Sequence, residues 1–110
     1  MGFNQCVWQI CMRIPKGKVA TYKQIAHILG TKSYRAVGNA LNKNPYWPDV
    51  PCHRVVGSDG HLTGFARGIK KKKLLLEKEG ICVKNYRVNL QKYLWRYNPK
   101  RSGSKKRVDL

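Results

Sequence analysis

The chain has 110 residues and is strongly basic, with 23 lysines and arginines against 5 aspartates and glutamates and a formal net charge of +18. This length is that of one domain, and 42% hydrophobic residues supply a modest core. No run approaches the ~20 apolar residues that a membrane span needs. Gln5, Gln9 and Arg13 interrupt the apolar positions at the N-terminus, so we expect no signal peptide. A surface with this much positive charge attracts polyanions. Nucleic acid is the favoured partner, although charge alone leaves an acidic membrane surface open.

The cysteines indicate neither a metal site nor a disulfide framework. None of the four lies in a closely spaced pair of the kind that binds zinc. Without a secretion signal, we expect all of them to be reduced thiols of an intracellular protein. They are Cys6, Cys11, Cys52 and Cys82.

The first predicted element is an amphipathic helix over about residues 3–13. Apolar side chains recur there at helical spacing. Cys6 and Cys11 share this stripe, so we expect both to be buried packing residues. Pro15 and Gly17 end the helix.

Two short helices separated by a brief turn are predicted next. Thr21, followed three residues later by Gln24, forms a capping box for a helix over about 22–29. Ser33 caps a second helix over about 34–43. Together they form a helix-turn-helix, in which residues near the start of the second helix contact DNA.

Arg35 stands at the start of this second helix. The small residues Ala36 and Gly38 would let a DNA backbone approach closely. An ordinary helical hairpin is the alternative interpretation, and the basic charge favours DNA binding over it.

The second half of the chain has weaker patterns. Val55 and Val56 predict a short extended segment, and a further helix is predicted over about 69–79. Four consecutive lysines at 70–73 indicate a solvated face of that helix that could reach phosphates. Residues 81–96 contain several large apolar side chains and are expected to pack back on the domain.

The C-terminal end is polar and basic from Asn98 onward, a composition that predicts disorder. We therefore expect one domain over residues 1–97 and a disordered basic tail over 98–110.

Chemistry is concentrated in the run PCHRVV, where Cys52 is followed directly by His53. A thiol becomes a nucleophile as its thiolate, and nearby basic or cationic groups favour that form. A nucleophile on a nucleic-acid binder suggests chemistry performed on the nucleic acid itself. For an isolated Cys-His pair, the alternative is a buried structural cysteine beside a core histidine.

The surrounding motifs decide between these interpretations. The runs GKVATYKQIA (17–26), RAVGNALNKNP (35–45) and VPCHRVVGSDG (50–60) occur in order, followed by EKEG ending at Gly80. The stretch from Gly17 to Gly80 resembles the C-terminal domain of O6-alkylguanine-DNA alkyltransferases, the methylated-DNA–protein-cysteine methyltransferases. The usual N-terminal domain of that family is not in this sequence. The resemblance implies a mainly α fold, a winged helix-turn-helix-like DNA-binding domain with short extended segments.

The resemblance also implies catalytic roles. Cys52 matches the cysteine that accepts the alkyl group, and His53 matches the histidine that deprotonates it through a bound water. Glu79 matches the glutamate that orients this histidine, a partner that an imidazole needs to fix its tautomer. Asn44 matches the asparagine that braces the cysteine loop. Tyr22 matches the tyrosine that crowds the target phosphate and donates a proton to the leaving guanine.

Two binding surfaces follow from the same match. Arg35 matches the arginine that fills the gap left by an extruded base. The implied DNA-binding residues are Tyr22, Ser33, Arg35, Ala36, Gly38 and Asn39. The implied lesion pocket comprises Val55, Phe65, Ala66 and Arg67.

The implied reaction is a single-turnover repair of O6-alkylguanine, chiefly O6-methylguanine, in duplex DNA. The domain binds from the minor-groove side and flips the lesion out of the stack. The Cys52 thiolate attacks the alkyl carbon in-line, guanine leaves with proton donation, and a stable S-alkyl cysteine remains. No metal or organic cofactor is expected. We expect a monomer in the cytoplasm of a prokaryote or the nucleus of a eukaryote, with no membrane partner.

Three residues depart from the family pattern in the pocket loop. Phe65 stands where a tyrosine is usual, and Ala66 where a serine commonly helps to contact O6. Arg67 stands at a position that is usually small, so it could exclude large adducts. These changes bear on rate and substrate range, and they leave the nucleophile in place.

Two functions other than alkyl transfer are compatible with a basic helix-turn-helix chain. A lesion-binding protein of the alkyltransferase-like type binds alkylated DNA without repair and recruits other factors. That class lacks the cysteine, commonly having tryptophan there, whereas Cys52 is present here. A plain basic helix-turn-helix protein, architectural or regulatory, is the second alternative.

Overall fold

A computed structural model describes residues 2–63, 65 and 68–97. The predictions for Ala66, Arg67 and the tail over 98–110 lie outside these residues. The fold is mainly helical with four two-residue strands, as predicted. In chain order the elements are α1 (Phe3–Met12), β1 (Ala20–Thr21), α2 (Tyr22–Ile28), α3 (Tyr34–Asn42), a 3-10 turn (Cys52–Arg54), β2 (Val55–Val56), α4 (Ile69–Lys78), β3 (Val83–Lys84), β4 (Arg87–Val88) and α5 (Leu90–Tyr93).

The helix-turn-helix formed by α2 and α3 has the predicted caps. Thr21 Oγ1 accepts a hydrogen bond from the Gln24 backbone N–H at 3.0 Å, and the Gln24 side chain returns to the Thr21 backbone. Ser33 Oγ accepts from the Ala36 N–H at 3.3 Å. Each cap satisfies a backbone donor that the first helical turn leaves unpaired, so both helices begin where the sequence predicts.

The core is divided into two clusters that meet at a parallel strand pair. Ala20 pairs with Val55 and Thr21 with Val56. Ala20 and Val55 belong to a cluster with α1, α2 and α3, whereas Val56 belongs to one with α4 and the C-terminal strands. This pairing holds the start of α2 beside the segment that carries Cys52.

The C-terminal segment packs back on the domain, as predicted. The Val19 N–H donates to the Tyr93 carbonyl at 2.9 Å, and the Trp95 N–H donates to the Val19 carbonyl at 2.7 Å. The β3–β4 pair is antiparallel, and the Val88 N–H of β4 donates to the Gly60 carbonyl at 2.9 Å. Gly60 has φ +91°, and a side chain there would meet the Val88 carbonyl, so the close approach requires glycine.

Burial corrects two sequence interpretations. Lys72, one of the four consecutive lysines assigned to a solvated face, is fully buried. Cys6, predicted to be a buried packing residue, is half-buried, whereas Cys11 is fully buried as predicted. Cys82 is exposed. Within the described ranges, no helix is long and apolar enough to span a membrane.

Candidate active site

Cys52 lies at the start of the 3-10 turn, and Asn44 holds the loop that leads to it. Asn44 Nδ2 donates to the Val50 carbonyl at 2.8 Å, while its Oδ1 accepts from the Tyr46 N–H at 2.8 Å. The same Val50 carbonyl accepts from the Cys52 N–H at 2.9 Å. One amide therefore links both ends of the loop to the backbone of the half-buried cysteine.

His53 is buried and is joined to Glu79, at the end of α4. His53 Nε2 lies 2.9 Å from Glu79 Oε2. Because a carboxylate only accepts, Nε2 carries the ring hydrogen in this contact. Nδ1 is then the basic nitrogen of the neutral ring, and it has no hydrogen-bond partner among the described residues. The contact fixes the orientation of the imidazole in the residue that directly follows Cys52.

Arg54 also holds Glu79, which sequence reasoning missed. Its Nε donates to Oε1 at 2.9 Å and its Nη2 donates to Oε2 at 2.8 Å, a bidentate pair. Nη1 donates to the Ile14 carbonyl at 2.8 Å, which fixes the guanidinium against the end of the α1 segment. One feature of the sequence indicated this ion pair. The chain has only 5 aspartates and glutamates, so an arginine beside the histidine had few carboxylates with which to pair.

Glu79 remains ionised in this setting. Burial raises the pKa of the Glu79 carboxyl, but the hydrogen bonds from His53 and Arg54 outweigh burial and lower it to about 2. The side chain is 11% exposed. A charged acceptor is therefore present at neutral pH to stabilise an imidazolium if His53 takes up a proton.

A buried lysine on α4 interacts electrostatically with Cys52 and Cys11. Lys72 Nζ donates to the Thr63 carbonyl at 2.8 Å. Burial lowers the pKa of Lys72 to about 8, and the electrostatic interactions with Cys52 and Cys11 act in the opposite direction. Burial strongly raises the pKa of the Cys11 thiol, which therefore stays protonated. Of the two cysteines, Cys52 is thus the one that can use the nearby cation to stabilise a thiolate.

The Tyr22 hydroxyl is held by the loop after β2. Thr63 Oγ1 donates to Tyr22 Oη at 3.0 Å. Burial raises the pKa of Tyr22, and the bond from Thr63 opposes this effect without reversing it. The phenol therefore keeps its proton at neutral pH and can act as a proton donor.

A cavity of about 540 Å³ lies on the face formed by the helix-turn-helix, and Tyr22 is one of the residues that line it. Arg35 and Tyr34 at the start of α3 are both exposed. Three of the predicted DNA-binding residues, Tyr22, Arg35 and Gly38, line this cavity together. The lining residues are Tyr22, Lys23, Tyr34, Arg35, Gly38 and Ser58.

The other predicted contact residues are placed less directly. Asn39 is exposed and Ala36 is half-buried, both on α3, while the Ser33 side chain is used as a helix cap. Phe65 is half-buried, with its ring centroid 6.4 Å from that of Trp47. The Trp47 ring in turn lies 6.5 Å from the His53 ring. Val55, which was predicted to line the lesion pocket, is fully buried in the core, so its side chain supports the site through packing.

Comparison with known families accounts for this arrangement. Residues 2–81 match the family model described as 6-O-methylguanine DNA methyltransferase, DNA binding domain. The chain belongs to this family.

In the part of the chain that the structure describes, no group of three histidine, cysteine or acidic side chains could hold a metal ion.

Curated relatives carry the name methylated-DNA–protein-cysteine methyltransferase. One from Saccharolobus islandicus is 56% identical over 81 residues, which cover 74% of this chain and 52% of the relative. One from Methanosarcina barkeri is 50% identical over 78 residues, which cover 70% of this chain and 49% of the relative. The chain thus spans about half the length of the curated relatives it matches.

Two solved structures are similar in different ways. S. pombe Atl1, in complex with damaged DNA containing O6-carboxymethylguanine, has a TM-score of 0.79 and 34% identity, covering 86% of this chain and 95% of Atl1. Mycobacterium tuberculosis OGT, in complex with DNA, has a TM-score of 0.69 and 45% identity, covering 72% of this chain and 50% of OGT.

Proposed function

We propose that this chain is the DNA-binding and catalytic domain of a DNA repair protein that transfers an alkyl group from O6 of guanine in duplex DNA to Cys52. The observation that carries the proposal is the placement of Cys52 directly before a buried histidine whose Nε2 is bonded to an ionised glutamate. The family membership and the names of the curated relatives support the same reaction. We place the domain within residues 1–97, acting as a monomer inside the cell.

In the proposed reaction, His53 takes the proton from the Cys52 thiol through its Nδ1, by way of a bridging water. The developing imidazolium is stabilised by Glu79, which Arg54 holds in place. The buried Lys72 ammonium adds a second favourable charge for the thiolate.

The thiolate then attacks the alkyl carbon bound to O6. A sulfur–carbon bond forms as the carbon–oxygen bond breaks, and the electron pair of that bond leaves with the guanine. Tyr22 donates its proton to the departing purine, which lowers the barrier as general acids do. The thioether product has no leaving group of comparable quality, so each molecule reacts once.

Access to the alkyl group requires the lesion to leave the base stack, because O6 lies on the major-groove edge and the domain is proposed to bind from the minor-groove side. We assign this step to the face of α2 and α3, from which the exposed Arg35 fills the gap that the extruded base leaves. The net charge of +18 provides the phosphate affinity for the encounter.

The experiment uses a duplex with a single O6-methylguanine and intact-protein mass spectrometry. We expect the chain to gain the mass of one methylene unit, the substitution of hydrogen by methyl, with peptide mapping to Cys52. The Cys52→Ala variant should bind the lesion duplex with similar affinity and gain no mass. Methyl transfer to that variant would show that the nucleophile is assigned incorrectly.

A second candidate function is lesion binding without transfer, in which the bound complex recruits other repair factors. The specific observation in its favour is the similarity to Atl1, since the alignment covers 95% of that chain. Tight, lesion-selective binding with no mass change of the unaltered chain would support this function over alkyl transfer.

A further inference from the structure

Thr63 joins two groups of the site that come from different helices. Its backbone carbonyl accepts a hydrogen bond from Lys72 Nζ on α4 at 2.8 Å. Its side-chain hydroxyl donates to Tyr22 Oη at the start of α2 at 3.0 Å. The residue therefore links the buried ammonium near Cys52 to the phenol beside the cavity.

We propose that Thr63 is a positioning residue for alkyl transfer, which holds the Tyr22 hydroxyl so that its hydrogen points to the departing purine. The Lys72 ammonium in turn holds Thr63. This inference rests on the proposed function, in which Tyr22 is the proton donor.

The 3.0 Å contact between the two hydroxyl oxygens carries the argument. A tyrosine hydroxyl has one hydrogen and can both donate and accept. When Thr63 donates to Tyr22 Oη, the phenolic hydrogen cannot point at Thr63 and remains available for another acceptor. Tyr22 also lines the cavity on the helix-turn-helix face, so the residue that Thr63 contacts is accessible from the surface proposed to bind DNA. Thr63 thus turns a freely rotating donor into a directed one.

The same bond tunes the acidity of Tyr22. A hydrogen bond donated to the phenol oxygen favours the phenolate, so it opposes the rise in pKa that burial causes. A donor that is protonated at rest but more readily ionised than a merely buried phenol is suited to giving its proton in the transition state.

Thr63 is itself fixed on two sides. The Lys72 bond holds its carbonyl, and the N–H of the preceding residue, Leu62, donates to the Tyr86 carbonyl at 2.8 Å. A positioning residue needs such support, because a catalytic donor that drifts by a fraction of an ångström loses its alignment. The fully buried, charged Lys72 is a costly group to keep in a core, and this bond gives it a function at the site.

The test compares Thr63→Val, which removes the hydroxyl and retains the carbonyl that Lys72 binds, with Thr63→Ser, which retains both. In single-turnover reactions with an O6-methylguanine duplex, we expect Thr63→Val to lower the rate constant for alkyl transfer about tenfold. This loss is smaller than the full contribution of general acid catalysis, because Tyr22 itself is still present. Affinity for the lesion duplex should stay within about twofold, and Thr63→Ser should restore the rate. A rate unchanged in Thr63→Val overturns the proposal.

The pair of residues is tested in a double-mutant cycle. In a Tyr22→Phe background, Thr63→Val should cause no further loss, because the group it positions is already gone. An equal loss in both backgrounds would show that Thr63 acts independently of Tyr22 and would overturn the positioning role.

A readout without catalysis separates this proposal from the proposed function. The Tyr22 ring carbon signal of tyrosine-labelled protein, assigned with Tyr22→Phe, is followed by NMR as pH is raised. We expect Thr63→Val, and not Thr63→Ser, to raise the pKa of Tyr22. An unchanged Tyr22 pKa in Thr63→Val contradicts the proposal whatever the activity. If the unaltered chain transfers no methyl group, the proposed function fails, and this titration alone decides whether Thr63 holds Tyr22.

Discussion

His53 Nε2 lies 2.9 Å from Glu79 Oε2, although the two residues are 26 positions apart in the chain. The contact determines which ring nitrogen is free to take a proton. It also places the end of α4 directly behind the 3-10 turn that carries Cys52. The chemistry and the stability of the domain are therefore coupled through one carboxylate, which Arg54 binds as well.

Replacing Glu79 by Gln should impair both properties. The amide cannot neutralise the half-buried Arg54 or stabilise a protonated His53, so we expect alkyl transfer to fall about a hundredfold, within the usual range for general base catalysis. Breaking a largely buried pair should also lower the free energy of unfolding by about 2–4 kcal/mol. Transfer kinetics and urea denaturation measure the two effects.

Glu77→Gln is the matched control, since Glu77 is an exposed glutamate of the same helix. Both variants remove one negative charge from α4. Equal effects of the two substitutions would show that the loss of charge, and not the contact with His53 and Arg54, is responsible.

The stability of the domain should fall in acid because of the same carboxylate. The pKa of Glu79 is about 2 in the folded chain, below its ordinary value of 4.5. The folded state therefore binds fewer protons than the unfolded state between these values, and stability is lost as pH falls from about 4.5 through 2. The contribution is on the order of 3 kcal/mol. Urea denaturation across this range should show a shallower decline for Glu79→Gln than for the unaltered chain. Parallel declines would contradict the assignment.

Lys72→Met should lower the reactivity of Cys52. The substitution retains a long apolar side chain and removes the ammonium that interacts with this cysteine. At neutral pH we expect alkylation of Cys52 by iodoacetamide, located by peptide mapping, to slow about tenfold, because less of the thiol is ionised.

Lys71→Met provides the control for net charge, because Lys71 is exposed on the same helix. Its Cys52 reactivity should match that of the unaltered chain. A similar decrease in both variants would indicate that the overall positive field, and not the buried ammonium, promotes the thiolate.

Arg35→Ala should affect lesions more than undamaged DNA. Extruding a base costs a few kcal/mol of stacking and pairing, which an inserted side chain partly offsets. We expect the preference for an O6-methylguanine duplex over its undamaged counterpart to fall about tenfold, as measured by fluorescence anisotropy. Lys70 is an exposed residue of α4, and Lys70→Ala should weaken binding to both duplexes equally or leave both unchanged. If Arg35→Ala weakened both duplexes alike, Arg35 would be a phosphate contact only.

The sequence predicted those features that depend on local patterns. Helical periodicity and the side-chain caps at Thr21 and Ser33 located α2 and α3, and the adjacent Cys52 and His53 indicated the reactive run. Roles that arise from tertiary contacts were missed. Four consecutive lysines favoured solvent exposure, and only the spacing of Lys72 from Leu76, one helical turn away on the same buried face, indicated otherwise.

Thr63 could not have been selected from the sequence at all. It lies between strand and helix, and no short-range pattern relates it to Tyr22, which is 41 positions away. Its position is set by tertiary contacts with Tyr22 on α2 and Lys72 on α4. Arg54 differs in that it lies beside His53, and what the sequence did not reveal is that both side chains share one carboxylate.

The central claim is that Cys52 accepts one alkyl group and is consumed. The most direct test incubates the chain with an excess of duplex carrying radiolabelled O6-methylguanine and measures the methyl groups bound per molecule at completion. The account predicts one label per molecule, located on Cys52, with no further turnover when fresh duplex is added. No incorporated label, label on another residue, or continued release of methyl groups from the DNA would contradict it.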